Sequence, residues 1–199
     1  MTDRQTLDVY DARAGDYATR FGRDDQPDTQ WQHFLDLLPK GAHLLDLGCG
    51  PGRSAALMAA AGHDVTATDA SAEMVALAGR NPGVTVRQES FDDLSGSELY
   101  DGIWANFSLL HANRGDLPRY LATIARALKP AGVFHVGMKT GRGTRRDRLG
   151  RRYTYVSDTE LTGMLTAVGL LPLARWTGSD AGLSGDVEPW IVIQARKDG

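Results

Sequence analysis

One cysteine, Cys49, stands among 199 residues. That excludes an internal disulfide framework and a cysteine-built zinc site. No apolar stretch approaches the ~18 residues of a membrane-spanning helix, and the first twenty-odd residues are polar and acidic rather than leader-like. Neither sign of charge dominates: the net charge is −3, which argues against a polyanion binder. These absences point to a cytoplasmic protein without a membrane partner. The apolar share of 42% and charged share of 24% are those of an ordinary globular domain. The length suits one domain, either a monomer or a homodimer, and no internal repeat or long linker divides it.

Short β-like runs alternate with helical ones. Strands are expected at 42–47, 64–69, 83–88, 100–106, 132–139, 170–177 and 189–196. Several are almost continuously apolar, as in a sheet covered on both faces. Between them, Leu117, Tyr120, Leu121, Ile124 and Leu128 fall at helical spacing, with Asp116 as N-cap and Pro130 as stop. Ser157 and Glu160 have capping-box spacing, and Leu161, Met164, Leu165 and Val168 form a stripe that Gly169 closes. Repeated strand–helix–strand units imply an α/β fold with a mostly parallel sheet and helices on both faces. Residues 1–40 precede the first strand and are expected as a helical cap over the sheet edge or site mouth. Residues 41–139 then form a ligand-binding core, and 140–199 a substrate-side loop, helix and final strands.

The most informative stretch is LLDLGCGPGRSAALMAA, residues 44–60. A strand runs into glycines 48, 50 and 52, and a helix starts at about Gly52–Arg53. Glycine permits positive φ and close approach of a ligand to the backbone, and the helix start offers unpaired N–H groups. Asp69, closing the next strand, sits where α/β nucleotide sites place a ribose-binding acid. Two ligands compete for this geometry. A dinucleotide such as NAD wants G-x-G-x-x-G, but the third glycine position is Arg53, and Asp46 would repel a pyrophosphate. S-adenosylmethionine carries a sulfonium and an ammonium instead, which a carboxylate at position 46 attracts.

The pattern D-x-G-x-G-x-G through Asp46, Gly48, Gly50 and Gly52, with Cys49 inside the turn, resembles the first motif of the class I S-adenosylmethionine-dependent methyltransferases. The stretch 65–71 resembles the second motif, which implies Asp69 on the ribose, Ala70 beside it and Met74 on the adenine. The stretch 86–94 resembles the third and puts Glu89, Ser90 and Phe91 around the adenine, with the Ser90–Phe91 backbone at the ring edge. The stretch 100–111 resembles the fourth and places Asn106, Phe107, Leu110 and His111 under the methionine arm. An LKPGG-like turn follows, with Ala131 in place of one glycine. The resemblance implies a Rossmann-like seven-stranded sheet whose last strand runs antiparallel, with S-adenosyl-L-methionine as cofactor and S-adenosyl-L-homocysteine as product. Tyr10 and Tyr17 fall in a segment similar to the N-terminal helix that small-molecule methyltransferases fold over the cofactor, with Arg13 a weaker candidate.

Methyl transfer from a sulfonium is an in-line displacement. Alignment and desolvation dominate, and a base is needed only for a protonated nucleophile. His111 and Tyr17 are the catalytic candidates. His135, among apolar neighbours, reads as a satisfied core histidine; Trp104 and Trp176 also read as core; His33 and His43 have no motif context. Residues 139–157 hold six arginines between Arg142 and Arg152, then Tyr153 and Tyr155. This texture is similar to small bacterial methyltransferases of the tellurite-resistance type. A mobile lid and a plain solvated loop are both open there; as a lid it would offer Lys139, Arg145, Tyr153 and Tyr155 to an acceptor, with an anionic acceptor one reading. Residues 178–190 read as a second loop closing the other side, with Trp190 at its base.

No N/D-P-P-Y/F follows residue 105, which disfavours exocyclic amine methylation of bases. No second cysteine supports cytosine C5 chemistry, and no metal triad of the catechol type is visible. A small-molecule acceptor remains, by elimination. The alternatives are a nucleic-acid or protein methyltransferase using residues 142–152, a non-catalytic cofactor-binding domain and, more distantly, an NAD-dependent dehydrogenase.

Overall fold

The computed structural model describes residues 3–21 and 29–199. Two short helices, α1 (Arg4–Ala12) and α2 (Ala14–Phe21), come first, then α3 (Thr29–Asp36). The α/β core follows as β1 (His43–Leu47), α4 (Arg53–Ala60), β2 (Asp64–Asp69), α5 (Ala72–Ala78), β3 (Val84–Gln88) and β4 (Tyr100–Asn106). Then come α6 (Leu117–Ala127), β5 (Leu128–Lys139), β6 (Thr144–Arg146), β7 (Arg152–Thr154), α7 (Asp158–Ala167), β8 (Leu170–Ala181) and β9 (Val187–Lys197).

Seven strands form one sheet in the order β3-β2-β1-β4-β5-β9-β8. The β1–β5 ladders are parallel, and β9 lies antiparallel between β5 and β8. This is the expected Rossmann-like sheet. Strand order reverses beside β1, so β1 and β4 diverge to open a crevice at their carboxyl ends. β6 and β7 form a separate hairpin.

Side chains alternate across the sheet. Leu44, Val65, Ala67 and Trp104 pack on one face with Phe34 of α3 and Met58 of α4. Leu45, Leu47, Ile103 and Phe134 pack on the other with Leu121 and Ile124 of α6 and Leu161 and Leu165 of α7. Both faces are buried, which is why apolar residues stand next to one another in β1 (Leu44, Leu45) and in β4 (Ile103, Trp104) instead of alternating with polar ones.

Local signals land close to expectation. Ser157 accepts from the Glu160 amide, and the full capping box is present. Gly169 has φ +77 after α7. Asp116 occupies the N-cap of α6, but its carboxylate caps no helix amide; it takes Asn113 Nδ2 at 3.2 Å instead. Leu128, expected as the end of the helical stripe, starts β5, so that strand begins before Pro130. The segment expected as one N-terminal helix is two, broken at Arg13 (φ −124, ψ 19). Part of the expected cap, residues 22–28, lies outside the described residues. Trp176 is a correction: on edge strand β8 it is only half-buried, against His33 at 5.4 Å.

Candidate functional site

A cavity of about 580 Å³ opens at the carboxyl ends of β1, β2, β4 and β5. That is within the usual size for a small-molecule site. α1 and α2, the β6–β7 hairpin and the β8–β9 turn supply its remaining walls.

The three turn glycines serve different needs. Gly48 has φ +76, and a Cβ there would lie 2.4 Å from Ser108 Cβ, so β1 and the β4 end could not meet. Gly50 has φ +55 and faces open space, its nearest neighbour Tyr17 Cε1 at 3.8 Å. Gly52, with φ +80, is a correction to the expected ligand contact. It does not line the cavity; its missing side chain admits Asn81 at 2.7 Å and Ala78 at 2.9 Å, so it packs α4 on the α5 end.

Asp46 is buried at the end of β1 and accepts from the Ala55 amide at 3.1 Å. Burial pushes its carboxyl up to about 7; the Ala55 bond pulls down and Asp69 pushes further up. A cation beside it would hold it ionised. Asp69 accepts the Gly50 amide at 2.8 Å and the Ser71 amide at 2.9 Å. It therefore both shapes the turn and presents a carboxylate to the cavity; burial raises its pKa as well. Ala70, Met74, Glu89, Ser90 and Phe91 line the neighbouring wall. The Ser90 amide, expected at a ring edge, already donates to Asp93 Oδ2 at 2.8 Å.

His111 is buried, with Nδ1 at 2.7 Å from the Arg152 carbonyl and Nε2 at 2.7 Å from Tyr10 Oη. A carbonyl only accepts, so Nδ1 carries the proton and Nε2 accepts from Tyr10. Burial pushes its pKa down to about 3, with Arg151 and Lys139 adding to the fall. His111 is thus neutral at ordinary pH. Tyr10 Oη also accepts from Arg151 Nη1 at 3.0 Å. Arg151 is 2% exposed, and its Nε and Nη2 donate to Asp147 Oδ2 at 3.0 and 2.7 Å. Tyr17 packs edge-on to Tyr10 at 5.8 Å, and burial raises its pKa too.

Across the cavity, Lys139 pairs with Glu188 and lies 3.8 Å over the Tyr153 ring. Tyr155 donates to Glu188 Oε1 at 2.5 Å. Lys139 and Tyr155 outweigh burial and hold the Glu188 carboxyl below its ordinary value. Trp190 Nε1 donates to Asp180 Oδ2 at 2.7 Å, and Phe107 meets the indole edge-on at 6.1 Å.

Most expected residues converge here: Tyr10, Tyr17, Asp46, Gly48, Cys49, Gly50, Asp69, Asn106, Phe107, His111, Lys139, Tyr153 and Trp190 all line the cavity. Arg145 and Tyr155 are corrections. Neither lines it; Arg145 stacks 4.2 Å over Tyr155, behind Glu188. Trp104 is buried as expected but also reaches the cavity, and His135 is the satisfied core histidine, between Asn106 Oδ1 and Gln194 Nε2, both at 3.1 Å. Sequence reasoning missed Arg151, Ser108, Glu188 and Asp180. For Arg151 the one available signal was Asp147 four residues earlier.

The arginine-rich segment is neither free nor featureless. Arg146 grips Asp3 through both terminal nitrogens at 2.8 and 2.9 Å. Arg148 pairs with Asp186 at 3.2 Å, and the Arg152 amide donates to Thr6 Oγ1 at 2.9 Å.

The sequence model of a methyltransferase domain matches residues 44–132. Trans-aconitate 2-methyltransferase of Deinococcus radiodurans is 33% identical over 139 residues, 66% of this chain and 52% of that protein. A ubiquinone/menaquinone biosynthesis C-methyltransferase of Rubrivivax gelatinosus is 39% identical over 97 residues, 47% of this chain and 38% of that one. The chain thus spans about half or less of the curated relatives it matches. Among solved structures, 1,6-didemethyltoxoflavin-N1-methyltransferase of Burkholderia thailandensis, with S-adenosylhomocysteine bound, superposes with TM-score 0.71 at 26% identity, over 96% of this chain and 88% of that one.

Proposed function

We propose that the chain is a class I S-adenosylmethionine-dependent methyltransferase, as its likeness to such proteins supports, and that it transfers a methyl group from that cofactor to a small-molecule acceptor, releasing S-adenosylhomocysteine. We take residues 1–199 as one such domain, working in the cytoplasm. Among the described residues no helix is long and apolar enough to cross a membrane.

The observation that carries the reading is the buried Asp46 beside the glycine turn. Burial, with Asp69 nearby, drives this carboxyl toward its protonated form, a costly setting for an acid that a ligand's ammonium group would offset by favouring the ionised form. Asp69 would hold the ribose hydroxyls, Gly48 and Gly50 would let the ligand approach the backbone, and Met74 and Phe91 would enclose the adenine. When bound, S-adenosylmethionine supplies an electrophilic methyl on a sulfonium. The protein's work is then alignment and exclusion of water, effects able to supply roughly 7–11 kcal/mol. His111 fixes the direction of the Tyr10 hydroxyl; an imidazole this reluctant to take a proton is a positioning group rather than a base.

A small acceptor is favoured over nucleic acid because arginines 146, 148, 151 and 152 are engaged by carboxylates within the chain rather than arrayed for phosphates. The names of the relatives, an aconitate and a toxoflavin methyltransferase among them, fit that class. Calorimetric titration with S-adenosylmethionine, S-adenosylhomocysteine and NADH tests the reading. Micromolar binding of the first two and none of NADH is expected; a folded protein that ignores both sulfur compounds would sink it.

A further inference from the structure

The far end of the cavity has a character of its own. Trp190 lies across Gly178, where a Cβ would sit 2.3 Å from Trp190 Cζ2. Its one N–H is spent on Asp180 and Phe107 stands at 82° to it, 6.1 Å away, so what it offers a ligand in the cavity is apolar indole surface. Tyr153 adds a buried ring to the half-buried Trp190, with Lys139 over one of its faces. Aromatic walls of this kind select flat π systems.

The cations at this end are already matched. Lys139 is held by Glu188, and Arg151 by Asp147. Asp180 adds a further carboxylate on the cavity wall. An acceptor carrying its own carboxylate would have to break an ion pair or sit beside surplus negative charge. Arg151 nevertheless retains donors. Among the described residues three bonds, two to Asp147 and one to Tyr10, engage three of the five N–H groups of its guanidinium, and the side chain lines the cavity.

We propose that the acceptor is a planar, uncharged aromatic or heteroaromatic molecule bearing a carbonyl, which stacks on Trp190 and accepts a hydrogen bond from Arg151. This rests on the methyltransferase reading above and narrows its substrate class. Arg151 selects through hydrogen-bond donation rather than net charge, because Asp147 cancels that charge.

Three probes separate shape from charge in the presence of saturating S-adenosylhomocysteine: 2-quinolone, its ring counterpart quinoline-2-carboxylate, and the aliphatic tricarballylate. Calorimetry is expected to show 2-quinolone binding at least tenfold more tightly than either carboxylate, with quenching of tryptophan fluorescence that is lost in Trp190→Phe. Arg151→Lys should weaken 2-quinolone at least tenfold while leaving S-adenosylhomocysteine affinity unchanged. Because Arg151 is buried and that variant can fail to fold, Trp190→Leu is the parallel arm, with the same expected loss. Carboxylate binding as tight as that of 2-quinolone, or S-adenosylhomocysteine bound with no probe retained, would overturn the proposal and leave the cofactor reading standing. Failure of S-adenosylhomocysteine itself to bind the folded wild type would overturn both.

Discussion

The Arg151 guanidinium donates to the Tyr10 hydroxyl at 3.0 Å, joining the first helix to a hairpin 141 residues further along the chain. The same hydroxyl donates to His111. One oxygen therefore ties α1, the β4 exit and the hairpin together at the cavity.

Tyr10→Phe removes that oxygen and nothing else. It leaves His111 Nε2 and one Arg151 N–H without their partner, which should cost about 1–3 kcal/mol of stability. Chemical denaturation measures this.

Asp46 makes cofactor binding pH-dependent. Its carboxyl titrates near 7 in the free protein, and a bound ammonium favours the ionised form, so affinity should fall as pH drops from 8 to 6, by roughly tenfold. The folded pKa lies above the unfolded value. The protonated form's contribution to stability is therefore complete below the ordinary carboxylate range and is lost as pH rises through about 7. Asp46→Asn should flatten both profiles, raising the melting temperature at pH 8 and weakening cofactor binding there. A pH-independent affinity in the wild type would place the ammonium elsewhere.

Gly50 and Gly52 should fail differently. Gly50→Val meets open space, so the chain should fold, at a cost of about 1–2 kcal/mol for a side chain at φ +55, with cofactor binding abolished. Gly52→Ala drives a Cβ into Asn81 and Ala78 at φ +80 and should cost about 2–4 kcal/mol through strain and overpacking. Paired melting curves and titrations separate the two.

Asp3 caps α1 by accepting the Thr6 amide at 3.1 Å while Arg146 grips both of its oxygens. Asp3→Ala should free the hairpin, so that trypsin cuts after Arg146 and Arg148 several-fold faster, read by mass spectrometry of timed digests. Unchanged cleavage would mean that the Arg148–Asp186 pair and the bonds of Arg151 to Tyr10 and of the Arg152 amide to Thr6 hold the segment without Asp3.

Ala131 sits at φ +61 in β5, where the pairing with β4 shifts register and the family resemblance expects glycine. Removing its Cβ relieves about 1–2 kcal/mol of left-handed strain against a smaller entropic loss. Ala131→Gly should stabilise the fold by about 0.5–1 kcal/mol, with catalysis and binding untouched.

The sheet was legible because both of its faces are buried: Leu44 and Leu45 point to opposite cores, yet both must be apolar, so the run announces itself. The glycine turn was legible because positive φ restricts residue choice. Arg151 was not, because six arginines in eleven residues look alike, and only three-dimensional packing buries one and leaves Arg145 outside. Glu188 was hidden likewise: its partners Lys139 and Tyr155 are 49 and 33 residues away. Gly52 shows the reverse error, a motif residue whose constraint is helix packing rather than a ligand.

The placement of β9 between β5 and β8 fixes an order of assembly. During synthesis β8 leaves the ribosome before the strand that connects it to the rest of the sheet. Until β9 slides in, β5 presents a bare hydrogen-bonding edge and β8 has no neighbour at all. A chain that has not yet emitted β9 therefore has a sheet that ends at β5, and the carboxylate facing Lys139 arrives with β9 itself.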